Sequence, residues 1–307
     1  MPDNQYDVII IGAGPAGLTA GIYAARSNLK TLIMEKSMAG GQLMVIDLIE
    51  NYPGFEDAVS GFDLVEKMKK QAERFGAGFL DEEAADVDTD NLVVSTSAGE
   101  KYSAGAIIIA TGARPTKLGV KGEAELLGRG VSYCATCDGP LFKNKEVVVV
   151  GGGNAAVGEA IYLTRFAGKV TLIHRRDQLR AAAILQERAQ KNDKIDIKWS
   201  SVVVEILGGD RVSGVRIKNL KTLEESDISA EGVFLYVGVE PYSGFLHKKI
   251  DTDDKGFIIT DEEMRTSSRG IFACGDVRKK SLKQIITACS EGAIAAFSCQ
   301  HFIEENS

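Results

Sequence analysis

The sequence predicts an α/β protein built from two Rossmann-like dinucleotide-binding units, one inserted into the other. Three observations carry that reading. Two glycine-rich turns, Gly12-Ala13-Gly14-Pro15-Ala16-Gly17 and Gly151-Gly152-Gly153-Asn154-Ala155-Ala156, each follow a β-branched run and open a helical pattern. Gly112-Ala113-Arg114-Pro115 and Gly238-Val239-Glu240-Pro241 break the apolar periodicity on either side of the second turn, as linkers do. Between the two turns stands Ser132-Tyr133-Cys134-Ala135-Thr136-Cys137-Asp138-Gly139, a paired thiol followed by a carboxylate. The simplest partition is a discontinuous first domain, 1–116 and 241–307, with residues 117–240 inserted as the second.

In the first unit, Tyr6–Ile11 reads as a strand, Leu18–Ser27 as a helix and Thr31–Met34 as a second strand. Gly12 permits a tight turn, Gly14 lets backbone approach a pyrophosphate, and Gly17 allows close packing of helix on strand. Pro15 and Ala16 complete the turn, whose helix N-terminus faces the phosphates. Glu35 follows the second strand about 20 residues beyond the first glycines, where a carboxylate takes a ribose hydroxyl.

The second unit repeats the pattern with Glu146–Val150 as strand, Val157–Ala167 as helix and Lys169–Ile173 as the next strand. Gly151, Gly153, Asn154, Ala155 and Ala156 form its nucleotide turn. Here the strand ends in His174-Arg175-Arg176, with Arg180 following, where the first unit has an acid. A carboxylate at that place repels the 2′-phosphate of NADP, whereas guanidinium groups bind it through charge-assisted hydrogen bonds, so NADPH is the expected ligand.

Ala106–Ala110 before Thr111-Gly112, and Gly270–Ala273 before Cys274-Gly275-Asp276, read as buried strands that end where backbone can meet a ligand. Trp199–Val204, Val212–Lys218 and Gly232–Val237 read as further strands of the inserted domain.

The chain has 307 residues, enough for two cores, and its 44% hydrophobic and 26% charged content is ordinary for a soluble protein. A net charge of −7 without a basic run argues against nucleic acid or an anionic membrane as partner. The apolar run Val8–Ile11 lacks the basic approach of a signal peptide, and no stretch is long and apolar enough to span a membrane. Five cysteines, an odd number, point to the cytoplasm, where a disulfide is more often catalytic than structural.

Spacing alone leaves the Cys134/Cys137 pair open between a redox dithiol, a zinc half-site and an inert pair. Tetrahedral zinc needs further ligands, and Cys274, Cys289, Cys299, His174, His247 and His301 are scattered singly, so no metal is expected.

Together with Gly40-Gly41-Gln42-Leu43, Ala110-Thr111-Gly112, Gly275-Asp276 and Asp177, these motifs resemble the low-molecular-weight, bacterial-type thioredoxin reductases over essentially the whole chain. The resemblance implies two three-layer domains, FAD in the first turn and NADPH in the second. It adds Gly41, Gln42, Asn51, Thr111, Gly112, Gly275, Asp276 and Gln284 to the FAD set, which already holds Gly12, Gly14, Pro15, Ala16, Gly17 and Glu35. It makes Cys137 the flavin-proximal sulfur, Cys134 the sulfur that attacks a thioredoxin-like protein disulfide, and Asp138 the acid that protonates the leaving thiolate. A homodimer is also implied. So is a rotation of the inserted domain between half-reactions, because that domain carries both the cysteines and the NADPH turn, with the Gly/Pro linkers as hinges.

Lys283 stands where the family usually has arginine, and Gly158 where an acid is frequent. Cys274, beside the flavin phosphates, reads as packing. An FAD-dependent dithiol oxidase or a ferredoxin-driven reductase of the same build has no use for the arginine cluster. A non-enzymatic flavin redox sensor has none for the dithiol-acid set.

Overall fold

The computed structural model describes residues 4–46, 49–247 and 249–306. In chain order its elements begin with β1 (Gln5–Ile11), α1 (Pro15–Arg26), β2 (Thr31–Met34), α2 (Gly61–Arg74), β3 (Gly78–Leu80), β4 (Ala84–Asp88), β5 (Val93–Thr96), β6 (Lys101–Ile109) and β7 (Ala113–Pro115). They continue with β8 (Val131–Ser132), α3 (Ala135–Asp138), β9 (Glu146–Gly151), α4 (Asn154–Leu163), β10 (Lys169–Ile173), α5 (Ala183–Gln190), β11 (Ile195–Lys198) and β12 (Ser201–Gly208). The last are β13 (Val212–Asn219), β14 (Glu225–Ser229), β15 (Gly232–Tyr236), β16 (Val239–Pro241), β17 (Ile271–Ala273) and α6 (Ile285–Glu305). The chain divides into two compact units, Met1–Arg114 with Glu240–Ser307, and Pro115–Val239.

The first unit is layered on a sheet in the order β3-β2-β1-β6-β5-β4, with β17 also pairing β6. β1 runs parallel to β2 and to β6, with Ile9 opposite Leu32 and Ile107. Strand side chains alternate between faces. Val8, Ile10, Ile33 and Ile108 therefore pack with α1, α2 and α6, whereas Ile9, Ile11, Leu32 and Ile107 pack with β4, β5 and Ile258. Burial on both faces explains why these strands read as continuous apolar runs.

The second unit has a parallel sheet in the order β11-β10-β9-β15-β8. Val147 and Val149 face α4 and the loop around Leu179, and Val148 and Val150 face the antiparallel sheet β12-β13-β14. Each unit is thus a three-layer α/β structure.

Local differences from the sequence reading have local causes. α4 starts at Asn154 rather than Val157, because Gly153 is the extended N-cap and the turn residues are already helical. β12 starts at Ser201 rather than at Trp199, because Ser200 takes a left-handed φ of 51°. The two linkers are not irregular: β7 and β16 pair as a two-stranded ribbon. The residue before proline favours extended backbone, which suits Arg114 and Glu240 to pairing. Among the described residues no helix is long and apolar enough to cross a membrane.

Candidate active site and nucleotide cradles

Gly12 links β1 to α1 with φ +107°, and a Cβ there would lie 2.5 Å from the Ala110 carbonyl oxygen. A Cβ on Gly17 would come 1.8 Å from the Gly12 carbonyl oxygen, so the turn closes only with glycine at both positions. Gly14 differs, since a Cβ there meets nothing within 4 Å and its backbone faces open space. The Glu35 carboxylate accepts the Ala13 N–H at 2.9 Å, which ties the end of β2 to the turn. Gly12, Glu35, Gly41 and Thr111 line one cleft of about 300 Å³ with Lys36 and Tyr242. Cleft, open glycine and carboxylate together fit the adenosine and pyrophosphate of a dinucleotide.

The remaining first-unit candidates surround this turn. Gln42 donates to the Ala113 carbonyl at 2.6 Å, and Thr111 Oγ1 to the Tyr242 carbonyl at 2.7 Å. Asn51 Nδ2 donates to Gln284 Oε1 at 2.8 Å, joining residues far apart in sequence, while Gln284 also caps α6 in a reciprocal box with Thr287. Gly275, at φ +78°, is close enough to Ala16 that an added Cβ would sit 2.8 Å from the Ala16 Cβ. Its N–H donates to Glu291 at 2.8 Å. Glu291 is buried on α6 and pairs with Arg278 at 3.1 Å and Lys280 at 3.3 Å, while Lys280 reaches Asp276 at 3.1 Å. Sequence reading missed Glu291; its signal is that it is the one charged residue within the run Ile285–Gln300.

The second cradle stands at the carboxyl end of β9, beside the ends of β10 and β15. Gly151 has φ +152°, and a Cβ there would lie 2.5 Å from the Tyr236 carbonyl oxygen. Gly153, like Gly14, faces open space. The arginine loop is fastened to this turn by its backbone: the Arg180 N–H donates to the Gly152 carbonyl at 2.7 Å, and the Ala182 N–H to Asn154 Oδ1 at 2.7 Å. Arg175, Arg176 and Arg180 are exposed, and Asp177 pairs with Lys221.

His174 sits apart from these arginines in role. Its ring is buried under the turn, where a Cβ on Gly152 would lie 2.2 Å from Nδ1, and Nε2 is 3.0 Å from the Gln178 carbonyl oxygen. Burial lowers its pKa against the raising effect of that carbonyl, and the charges of Arg180 and Arg176 lower it further. His174 is therefore neutral at pH 7 and supports the turn rather than adding charge to it.

Cys134 and Cys137 form a disulfide with Cα atoms 5.4 Å apart. Cys134 is the N-cap of α3, and its Sγ accepts the Cys137 N–H at 3.0 Å. Ser132 Oγ holds the preceding residues by accepting the Cys134 N–H at 2.9 Å. Tyr133 donates to Glu123 at 2.6 Å, and the same carboxylate takes the N–H groups of Leu118 and Gly119. Burial raises the Glu123 pKa, but these hydrogen bonds outweigh it and the net direction is down. Ala135 N–H donates to the Tyr236 hydroxyl at 2.8 Å. Cys134 is half-buried, Cys137 exposed, and Asp138 ends α3 half-buried. Sequence reading missed Tyr236 and Glu123.

The departures from the family pattern find places too. Lys283 lies 4.0 Å from the centre of the Phe257 ring and donates to the Asp276 carbonyl at 2.7 Å, so it engages a ring face and backbone. Gly158 has open space around it, so no steric demand requires glycine there. Cys274, Cys289 and Cys299 are buried free thiols, and burial pushes Cys274 and Cys299 well above the ordinary thiol range. Among the described residues no group of histidine, cysteine and acid side chains is arranged to hold a metal.

The family model for pyridine nucleotide-disulphide oxidoreductases matches residues 6–292. A thioredoxin reductase of Listeria monocytogenes is 52% identical over 306 residues, covering 99% of this chain and 95% of that protein. One from Bacillus subtilis is 50% identical over 305 residues, covering 99% and 96%. The crystal structure of Lactococcus lactis thioredoxin reductase superposes with a TM-score of 0.95 at 46% identity, covering 98% of this chain and 99% of that one. With two nucleotide cradles and a Cys-x-x-Cys disulfide on the same chain, this protein belongs to the pyridine nucleotide-disulphide oxidoreductases, and among them to the thioredoxin reductases.

Proposed function

We propose that the chain passes electrons from NADPH, through FAD, to the Cys134–Cys137 disulfide and from there to the disulfide of a thioredoxin or thioredoxin-like protein. The observation that carries this reading is a disulfide and an arginine-bordered nucleotide turn in one compact unit, Pro115–Val239. Gly12, Gly14, Pro15, Ala16, Gly17, Glu35, Gly41, Gln42, Asn51, Thr111, Gly112, Gly275, Asp276 and Gln284 hold FAD in this reading. Gly151, Gly153, Asn154, Ala155, Ala156, Arg175, Arg176 and Arg180 hold NADPH, over His174. When bound, FAD supplies two-electron transfer between the nicotinamide and the disulfide.

The dithiol then does thiol–disulfide exchange. Cys134 is the attacking sulfur, because the Cys137 N–H aimed at its Sγ favours the thiolate. Its attack on the partner's disulfide forms a mixed disulfide and expels one partner thiolate, which Asp138 protonates. Cys137 then attacks Cys134 Sγ, releases the second partner thiol and restores the intramolecular disulfide. The test is anaerobic stopped-flow absorbance of the FAD-loaded protein. NADPH, and not NADH, should bleach the flavin rapidly, and oxidised thioredoxin should restore it. A flavin that stays oxidised with NADPH overturns the assignment of the electron donor.

The paired linkers β7 and β16 serve as hinges in this reading, with Gly112 at φ +68° and Gly238 at φ +154° beside them. Crosslinking the inserted unit to the other should permit one half-reaction and stop turnover; full turnover after crosslinking overturns the hinge. Exposed Tyr23 on α1 and Ile294 and Phe297 on α6 give the first unit an apolar face suited to a second copy, in keeping with a homodimer. Three unpaired thiols suit the reducing cytoplasm.

A further inference from the structure

We propose that Tyr236 is a positioning residue for the redox pair: its hydroxyl holds the first backbone donor of α3 while the disulfide is closed, and so favours the disulfide over the dithiol. Tyr236 is the last residue of β15, opposite Gly151 in the parallel ladder, and its carbonyl lies against the place where a Gly151 Cβ would fall. Its side chain crosses to the redox turn, where the hydroxyl accepts the Ala135 N–H at 2.8 Å. One residue thus abuts the nucleotide turn with its backbone and the cysteine turn with its side chain.

The first N–H groups of a helix have no partner within it. At α3 the Cys137 N–H goes to Cys134 Sγ, and the Ala135 N–H goes to Tyr236. Ala135 is buried, so its donor has no ready substitute in water. The hydroxyl stays protonated and available in this role: burial raises the phenol pKa, the charge of Glu159 adds to it, the Ala135 N–H opposes it, and Asp138 adds further.

The two redox states differ in what else that N–H can reach. In the disulfide, the S–S bond ties Cys134 to Cys137 and keeps the turn closed around the buried Ala135 N–H. Two-electron reduction by an external dithiol, itself oxidised to its disulfide, breaks the S–S bond and leaves two thiols, so the turn is no longer tied shut and the Ala135 N–H can open to water. Removal of the Tyr236 hydroxyl therefore costs the disulfide an orphaned donor, which the dithiol can offset. The inference rests on Cys134–Cys137 as the redox pair, and not on thioredoxin as its partner.

The test is redox equilibration of the FAD-loaded wild type and Tyr236→Phe with mixtures of reduced and oxidised dithiothreitol. Acid quenching, alkylation and mass measurement of the peptide holding both cysteines then read the pair itself. Tyr236→Phe should shift the equilibrium about tenfold toward the dithiol, about 30 mV less negative, with unchanged FAD content. An unchanged equilibrium, or a shift toward the disulfide, overturns the proposal. Should Tyr236→Phe lose its fold, hydrogen exchange in the wild-type disulfide form decides: the Ala135 amide should exchange far more slowly than that of Thr136, and equal rates overturn the proposal. A protein without thioredoxin activity still yields both measurements.

Discussion

Replacing Arg175 and Arg180 together by alanine should weaken NADPH binding by about two to four decades while leaving NADH nearly unaffected. Hydrogen bonds to charged groups contribute about 1.5–3 kcal/mol each, and about 1.4 kcal/mol is a factor of ten in affinity. Two such contacts give that range if they add. The structure makes the substitution a clean one. Both side chains are exposed, and the link from Arg180 to the turn is through its backbone N–H to the Gly152 carbonyl, which alanine keeps. The Asn154 contact to Ala182 and the buried His174 ring are also untouched. Calorimetric titration of the FAD-loaded variant with each nucleotide checks the result. Equal losses for both nucleotides would mean a damaged cradle instead, and undiminished NADPH binding would refute the 2′-phosphate assignment. Because the arginines are exposed, the preference for NADPH should also shrink as salt is raised.

Changing Cys134 to serine should reduce thioredoxin turnover to the level of the buffer, with flavin bleaching by NADPH preserved. A serine hydroxyl at the N-cap of α3 still accepts the Cys137 N–H, so the turn keeps its geometry. What it loses is the sulfur that forms the mixed disulfide. Changing Cys137 instead leaves Cys134 able to attack but removes the thiol that resolves the product, so a covalent complex with thioredoxin should accumulate. Steady-state turnover, stopped-flow absorbance and non-reducing electrophoresis together read the three steps. If the covalent complex accumulates with Cys134→Ser and not with Cys137→Ser, the two sulfurs exchange roles. The half-burial of Cys134 and the exposure of Cys137 make that reversal a definite alternative, against which the hydrogen bond to Cys134 Sγ argues.

Much of the fold and of the candidate site was legible in the linear chain. β-branched runs buried on both faces, glycines that the turns sterically demand, and an acid in one unit against arginines in the other are all local statements. Each depends on backbone freedom or on charge at a strand end, properties a residue carries with it wherever it stands. The limits of the elements were less legible. Ser200 shows why: its left-handed backbone is set by how β11 passes into β12, not by its own identity.

By itself the sequence determined the class of the protein: two nucleotide turns, a dithiol between them, and an inserted unit. Only the tertiary structure decided that His174 lies beneath a turn instead of among the charges. Only it brought Asn51 to Gln284, Glu291 to Gly275, and Tyr236 to Ala135. All are hydrogen bonds between residues distant in the chain, and the last two are made where burial leaves a donor with no water to satisfy it. A sequence states which groups need partners; the packing of layers chooses the partner.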